Sequence, residues 1–184
     1  MRIQKLDENT KKNLLQDLLK RSPNQYPEYE ERVAAILEAV KKDRDQAIFE
    51  FTKKFDGADI SANNIKVTEA EIEEAYQAVD PSLIEIIRKA KENIKVYHEK
   101  QRQYSWFDSK PDGTMLGQKV TALQKVGVYV PGGKAVYPSS VLMNIIPAKV
   151  AGVEEIIMLT PPGKDGKVNP NTLVAAKEAG ADTV

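Results

Sequence analysis

The feature that most constrains the fold is an alternation of strand and helix patterns that begins at Lys125. Short apolar runs that alternate with helical segments form parallel sheets with right-handed crossovers. The class predicted for this region is therefore α/β. The predicted elements are, in order, a strand at Val126–Val130, a helix at Ser139–Ala151, a strand at Glu155–Leu159, a helix at Asn171–Ala179 and the opening of a third strand at Asp182–Val184.

The part of the chain before Lys125 has mostly helical patterns, delimited by recognisable start and stop signals. The predicted elements are a helix at Thr10–Arg21, a helix behind Pro27, a helix that stops at Asp56 and Gly57, a short strand at Ile65–Val67, a helix opened by a Thr68 and Glu71 capping box, a helix from Asp80 and Pro81 to about Tyr104, and two strands around Lys110–Gly113. The apolar stripe expected on the long helix is Leu83, Ile86, Ile87, Ala90, Ile94 and Tyr97.

The composition excludes several classes of protein. The 27 basic and 27 acidic residues balance, whereas a nucleic-acid or anionic-membrane binder carries a basic excess. The chain has no Cys, which excludes disulfides and thiolate ligands, and His98 is its one His. No apolar run reaches the length of a membrane span, and the segment after Met1 lacks a signal-peptide core. We therefore expect a cytoplasmic protein.

The segment with the most chemical information follows the Val126–Val130 strand. A glycine pair, Gly132 and Gly133, separates this strand from a helix that we expect Ser139 or Ser140 to cap. Glycines let a backbone approach a ligand closely, and a helix N-terminus favours anions. Open parallel sheets also bind ligands at the carboxyl ends of their strands.

The same segment departs from two familiar nucleotide-binding motifs. Gly127 and Gly132 are too far apart for G-x-G-x-x-G, and Lys134 is followed by Ala135 where a P-loop has Ser or Thr. Spacing alone therefore leaves two alternatives open, a ligand-binding loop and an ordinary turn. Lys134 is correspondingly either a phosphate-neutralising group or a solvated surface side chain.

Read as a whole, the run from Val126 to Pro162, VGVYVPGGKAVYPSSVLMNIIPAKVAGVEEIIMLTPP, resembles the histidinol dehydrogenase family. The resemblance extends to the flanking sequence. It includes FTKKFDG from Phe51 to Gly57, YHEKQ from Tyr97 to Gln101, DGTMLGQKVTAL from Asp112 to Leu123 and GKVNPNTLVAAKEAG from Gly166 to Gly180.

The resemblance implies an enzyme that oxidises L-histidinol to L-histidine through L-histidinaldehyde, with two NAD molecules, a zinc ion and a homodimeric assembly. It also implies that Tyr129 contacts NAD, and we add Pro131, Gly132 and Gly133 as further cofactor-binding residues. Considered without the resemblance, Tyr129 is equally compatible with a core residue whose hydroxyl is hydrogen-bonded.

The family's zinc ligands and its catalytic Glu–His pair match no position in this sequence, so we predict no catalytic and no metal-binding residue here. His98 sits in the long predicted helix, where we expect a structural role. We expect Trp106 and Phe107 to lie in the core or at an interface, and Pro147 to kink or end its helix.

The predicted architecture is a set of N-terminal helices followed by the first part of an incomplete Rossmann-like parallel sheet. It divides into a helical arm over residues 1–22, a mostly helical first part of an α/β domain with a short hairpin over 23–119, and the N-terminal half of an NAD-binding domain over 120–184. A strand that opens at Asp182 without a following partner would leave a free sheet edge. We therefore expect this sequence to be the first part of a longer, truncated protein.

Three hypotheses follow. The first is the N-terminal part of a histidinol dehydrogenase that is inactive alone, and the second is a stand-alone nucleotide- or anion-binding module. The third is an interaction segment, in which the leucine-rich helix packs on a partner subunit through Leu14, Leu15, Leu18 and Leu19.

Overall fold

The structure is a computed structural model that describes residues 7–20, 27–132 and 136–184. Contacts divide the chain into two compact units, Met1–Ile48 and Phe49–Val184. In the described ranges, no helix combines the length and the hydropathy that a membrane crossing requires.

The first unit is helical. Helix α1 spans Glu8–Lys20, α2 spans Pro27–Asp43, and α3, at Asp45–Phe55, starts here and ends in the second unit. Arg44 joins α2 to α3 with a φ of 52°, in the left-handed region. Asp56 and Gly57 follow α3, and Gly57 has a φ of 72°, so the predicted stop is confirmed.

Two capped helices follow, α4 at Glu69–Ala78 and α5 at Pro81–Glu99. Both predicted caps are confirmed, because the Thr68 hydroxyl accepts from the Glu71 N–H at 3.3 Å and an Asp80 oxygen accepts from the Ser82 N–H at 2.8 Å. Helix α5 stops at Glu99, five residues before the predicted end. The helix ends here because the residues that follow Tyr97 are polar and provide no apolar side chain that could pack in the core.

The strand predicted at Ile65–Val67 is wrong. These residues form a bend and a loop. One hydrogen bond links them to the sheet, from the Val67 N–H to the Val184 carbonyl at 2.9 Å. A segment of three residues directly before a helix cap is too short to form a β-ladder with the edge of the sheet at Val184.

The predicted hairpin is confirmed. Strands β1, Trp106–Ser109, and β2, Met115–Gln118, pair antiparallel with Trp106 opposite Gln118. Every residue of both strands is exposed. Trp106 and Phe107 therefore do not belong to the core, which corrects one half of that expectation.

The predicted parallel sheet is also confirmed. Strand β3, Lys125–Tyr129, pairs in parallel with β4, Glu155–Leu159, and a parallel bridge from Ile157 to Thr183 adds the start of the third strand. Helix α6, Pro138–Ala151, connects β3 to β4, and α7, Pro170–Ala179, follows β4. Pro147 lies inside α6 and does not end it.

The core of the second unit lies on one face of this sheet. Val126, Val128 and Val130 alternate onto that face, opposite Ile156 and Met158 of β4. Helices α4, α5, α6 and α7 pack against one another there. Within α5 the most buried apolar residues are Ile84 and Ile87, whereas Ile86 and Tyr97 of the predicted stripe are exposed. Leu83, Ala90 and Ile94 pack against the same core, so the predicted stripe is confirmed except at Ile86 and Tyr97.

Candidate functional site

A cleft of about 360 Å³ lies at the carboxyl ends of β3 and β4. Gly132 and Val136 line it from the segment after β3, and Pro161 lines it from the loop after β4. Asn169 and Thr172, at the start of α7, complete the wall. This is the edge where open parallel sheets bind their ligands.

The two segments come very close at Gly132. A Cβ atom placed on Gly132 would lie 3.1 Å from Cγ of Pro161, 3.1 Å from its carbonyl oxygen and 3.4 Å from its Cδ. The two separations of 3.1 Å are tighter than most real Cβ contacts, so the glycine allows an approach that a larger residue would disturb. One hydrogen bond beside it, from the Val130 N–H to the Leu159 carbonyl at 2.9 Å, ties the strand ends together.

The loop after β4 is closed by its own backbone. The Gly163 N–H donates to the Lys167 carbonyl at 2.8 Å, and the Gly166 N–H donates to the Gly163 carbonyl at 2.9 Å. The Lys167 N–H donates to an Asp165 carboxylate oxygen at 3.1 Å. Pro161 is therefore presented to Gly132 by a loop with defined internal bonds.

Helix α6 begins without a side-chain cap. The N-cap residue is Tyr137, with Pro138 at the first helical position, and the Tyr137 side chain makes no capping hydrogen bond. The prediction of Ser139 or Ser140 as the cap is wrong, because the fixed φ of Pro138 starts the helix before either serine. By contrast, α7 is capped by Asn169, whose side chain accepts from the Asn171 N–H at 2.9 Å. A ligand at the start of α6 would meet amides that no side-chain cap has satisfied.

Tyr129 ends β3 on the face of the sheet opposite the helices. Its ring is 65% exposed, and its cross-strand partner Leu159 is 55% exposed. The alternative in which Tyr129 is a core residue is therefore wrong. Pro131 is also exposed, and neither of the two lines the cleft, whereas Gly133 and Lys134 lie outside the described residues. Of the four predicted cofactor-binding residues, the cleft includes only Gly132 among those described.

The cleft residues that sequence reasoning missed are in the loop after β4. Thr160, Pro161 and Pro162 line the cleft together with Val136. A signal was present, because a turn-forming T-P-P-G run directly follows a predicted strand beside the first one. The carboxyl ends of adjacent parallel strands meet at one edge of a sheet, so this run belongs beside Gly132.

The titratable groups with shifted pKa values lie away from the cleft and support the fold. Hydrogen bonds from Lys149, at 2.8 Å, and from the Ile156 N–H, also at 2.8 Å, hold the pKa of Asp182 below its ordinary value. Asp182 thereby joins α6 to the start of β4. These bonds stabilise the fold and involve none of the residues that line the cleft, among which Asp165 and Lys167 are charged.

The described residues contain no group of three or more His, Cys, Asp or Glu side chains that could hold a metal ion. His98 is half-buried on α5, and its Nδ1 lies 2.7 Å from Oε1 of Gln101. The residues that the structure describes therefore do not fit the zinc ion that the resemblance implies.

Comparisons with known proteins show the family to which this chain is similar. The family model of histidinol dehydrogenase matches residues 19–184. This chain belongs to the histidinol dehydrogenase family. The matched range includes every element from β3 to α7.

Curated histidinol dehydrogenases give the same result. The chain is 58% identical over 153 residues to the one from Bacillus subtilis (strain 168), covering 83% of this chain and 35% of the relative. It is 56% identical over 153 residues to that of Heliobacterium mobile, with 83% and 36% covered. For Bacillus licheniformis the identity is 49% over 185 residues, with 100% and 42% covered. The chain thus spans less than half the length of these histidinol dehydrogenases.

A solved structure agrees in fold. The crystal structure of histidinol dehydrogenase from Elizabethkingia anophelis superposes with a TM-score of 0.74 at 30% sequence identity. The match covers 98% of this chain and 36% of that one. The α/β fold predicted from the sequence, as part of a longer histidinol dehydrogenase architecture, is therefore confirmed.

Proposed function

We propose that these 184 residues are the part of a cytoplasmic, homodimeric histidinol dehydrogenase that contributes to NAD binding. The whole enzyme oxidises L-histidinol to L-histidine through L-histidinaldehyde. NAD, when bound, accepts the hydride that leaves the substrate carbon. Family membership supports the reaction, and the cleft at the carboxyl ends of β3 and β4 supports the location.

The close approach of Gly132 to Pro161 is the observation that supports this location for NAD binding. It brings two backbone segments together at the edge where parallel sheets hold nucleotides. In this proposal the exposed ring of Tyr129 lies against a flat face of the cofactor. Pro131, Gly132 and Gly133 are the further cofactor-binding residues of this proposal, and the uncapped start of α6 favours the negatively charged diphosphate of NAD.

The chemistry of the reaction requires groups that these residues do not supply. A general base must remove protons from the substrate, and the family uses histidine for that step. The sequence has one histidine, His98 on α5, and its Nδ1 lies 2.7 Å from Oε1 of Gln101. We therefore expect this polypeptide to bind NAD without forming NADH from L-histidinol.

The test is a calorimetric titration of the 184-residue chain with NAD, paired with an assay for NADH in the presence of L-histidinol. We expect saturable binding below about 1 mM and no NADH. Tyr129→Ala should weaken binding by roughly tenfold, which corresponds to the loss of one aromatic contact. The matched control is Tyr104→Ala, since Tyr104 is also an exposed tyrosine but lies before β1, whereas Tyr129 ends the strand that leads to the cleft.

Three results would contradict the proposal. They are no saturable heat with NAD, an equal effect of both tyrosine variants, and turnover by this chain alone. Inorganic phosphate is titrated in parallel. Binding of phosphate with no preference for NAD would instead favour a general anion-binding module, which the uncapped start of α6 would then explain.

A further inference from the structure

At several positions of this chain, glycine is required because the backbone has a positive φ. Gly132 is not one of these positions. Gly57, Gly113, Gly152, Gly166 and Gly180 have positive φ values, whereas the φ of Gly132 lies outside that region. A side chain at position 132 is therefore not opposed by local conformation. What opposes it is Pro161, at 3.1 Å from the position of a Cβ.

Pro161 has little freedom to yield. Two of the three close atoms, Cγ and Cδ, belong to its ring, which is rigid, and the third is its backbone oxygen. The loop that carries it is closed between Gly163 and Lys167, and the Leu159 carbonyl just before it is bonded to Val130. A methyl group at position 132 must therefore move one backbone segment away from the other.

We propose that Gly132 is a positioning residue that sets the separation of the two segments and, through it, the width of the cleft for NAD. This inference rests on the proposed function and adds to it a residue that acts through Pro161. A shift of a few tenths of an ångström would misalign the groups on the two walls that contact one ligand. Small misplacements of this kind weaken binding disproportionately.

The first test compares NAD affinity in single variants of the 184-residue chain. Gly132→Ala should raise the dissociation constant for NAD by roughly tenfold, the effect of a modest overpacking strain. The control is Gly127→Ala in β3, since a Cβ there meets only Leu159 Cδ1 at 3.4 Å, which is the far end of a flexible side chain. That variant should bind NAD within about twofold of the unsubstituted chain.

The second test adds Pro161→Ala to form a double-mutant cycle. Removal of the proline ring eliminates the Cγ and Cδ contacts and leaves only the carbonyl contact at 3.1 Å. The penalty of Gly132→Ala should therefore shrink to less than about half when Pro161 is absent. An undiminished penalty would show that Gly132 does not act through Pro161.

The third test needs no ligand. Amide hydrogen exchange at Val130, whose N–H is bonded to Leu159, should become faster in Gly132→Ala as the segments separate. Exchange at Met158, whose N–H is bonded to Thr183 on the far side of β4, should stay unchanged and confirms that the variant is folded. The exchange rates thus report the separation independently of NAD.

The outcomes distinguish this inference from the function on which it rests. Failure of the unsubstituted chain to bind NAD overturns the proposed function and this role with it. Normal NAD binding by the unsubstituted chain, with unchanged affinity and unchanged Val130 exchange in Gly132→Ala, overturns this inference alone. Faster Val130 exchange together with weaker NAD binding supports it.

Discussion

At the scale of single residues, the side chain of Glu178 on α7 joins three helices. It is 11% exposed and accepts from the Tyr76 hydroxyl at 2.9 Å and from Nε of Arg88 at 2.9 Å. Burial raises the pKa of Glu178, but the hydrogen bonds from Arg88 and Tyr76 outweigh it and lower the pKa overall. The cluster joins α4, α5 and α7.

This cluster predicts an alkaline limit on stability. Burial, followed by the hydrogen bond to Glu178, raises the pKa of Tyr76 from 10.0 to about 12. A group whose pKa is raised by folding stabilises the fold below its unfolded pKa and loses that contribution as the pH rises through the folded value. The free energy of unfolding should therefore fall between about pH 10 and pH 12.

Urea unfolding at a series of pH values measures this fall, and Tyr76→Phe is the comparison. The variant should be less stable at neutral pH, because Glu178 loses one donor, and its alkaline fall should be smaller than that of the unsubstituted chain. Equal slopes for both proteins above pH 10 would show that Tyr76 does not carry the effect.

Sequence patterns do not reveal contacts of this kind. Tyr76 and Glu178 are 102 positions apart, and nothing local in either helix pairs them. The contact between Gly132 and Pro161 was missed for the same reason, since it depends on the separation of two strand ends. By contrast, the location of Gly132 at the carboxyl edge of the parallel sheet followed from the strand–glycine–helix pattern, and ligand binding at that edge stays a prediction.

At the scale of elements, local chemistry was a good guide wherever a helix end is set by neighbouring residues. The caps of α4, α5 and α7 follow from short-range signals that the sequence displays. The errors arose where longer-range packing decides. Helix α5 stops where core contacts cease, and its buried face includes Ile84 because that side meets α6 and α7.

The capping box of α4 gives a prediction at this scale. Thr68→Ala removes the hydroxyl that accepts from the Glu71 N–H, and the Thr68 N–H donates to the Glu71 carboxylate at 2.8 Å. We expect a loss of about 1 kcal/mol in the free energy of unfolding. Chemical denaturation measures it, with Thr68→Ser as the control that keeps the hydroxyl and should change the free energy of unfolding by no more than about 0.3 kcal/mol. Similar losses in both variants would contradict a capping role.

At the scale of the whole molecule, α6 packs on one face of the parallel sheet of the second unit, and α4, α5 and α7 continue the same core. The other face carries Tyr129 and Leu159, which are exposed side by side. The described part of the hairpin likewise exposes Trp106, Phe107, Met115 and Leu116. These apolar surfaces suit further packing partners, and the relatives are more than twice as long as the segment that matches this chain.

The overall class was predictable because it depends on the order of elements rather than on their contacts. The alternation of strands and helices after Lys125 was sufficient to predict a parallel sheet. The bridge between Ile157 and Thr183 lies where the sequence predicts the start of a third strand. The three predicted regions, 1–22, 23–119 and 120–184, stay a prediction. The cofactor roles of Tyr129, Pro131, Gly132 and Gly133 also stay predictions until a ligand is measured.

The measurement that tests the central claim most directly is a map of NAD binding on the 184-residue chain by amide NMR. We predict saturable shifts at Tyr129, Gly132 and the loop from Thr160 to Lys167, with the amides of α4 unchanged. Shifts grouped around His98 and the hairpin, or no saturable shift below about 1 mM NAD, would contradict the assignment of the cleft at the ends of β3 and β4.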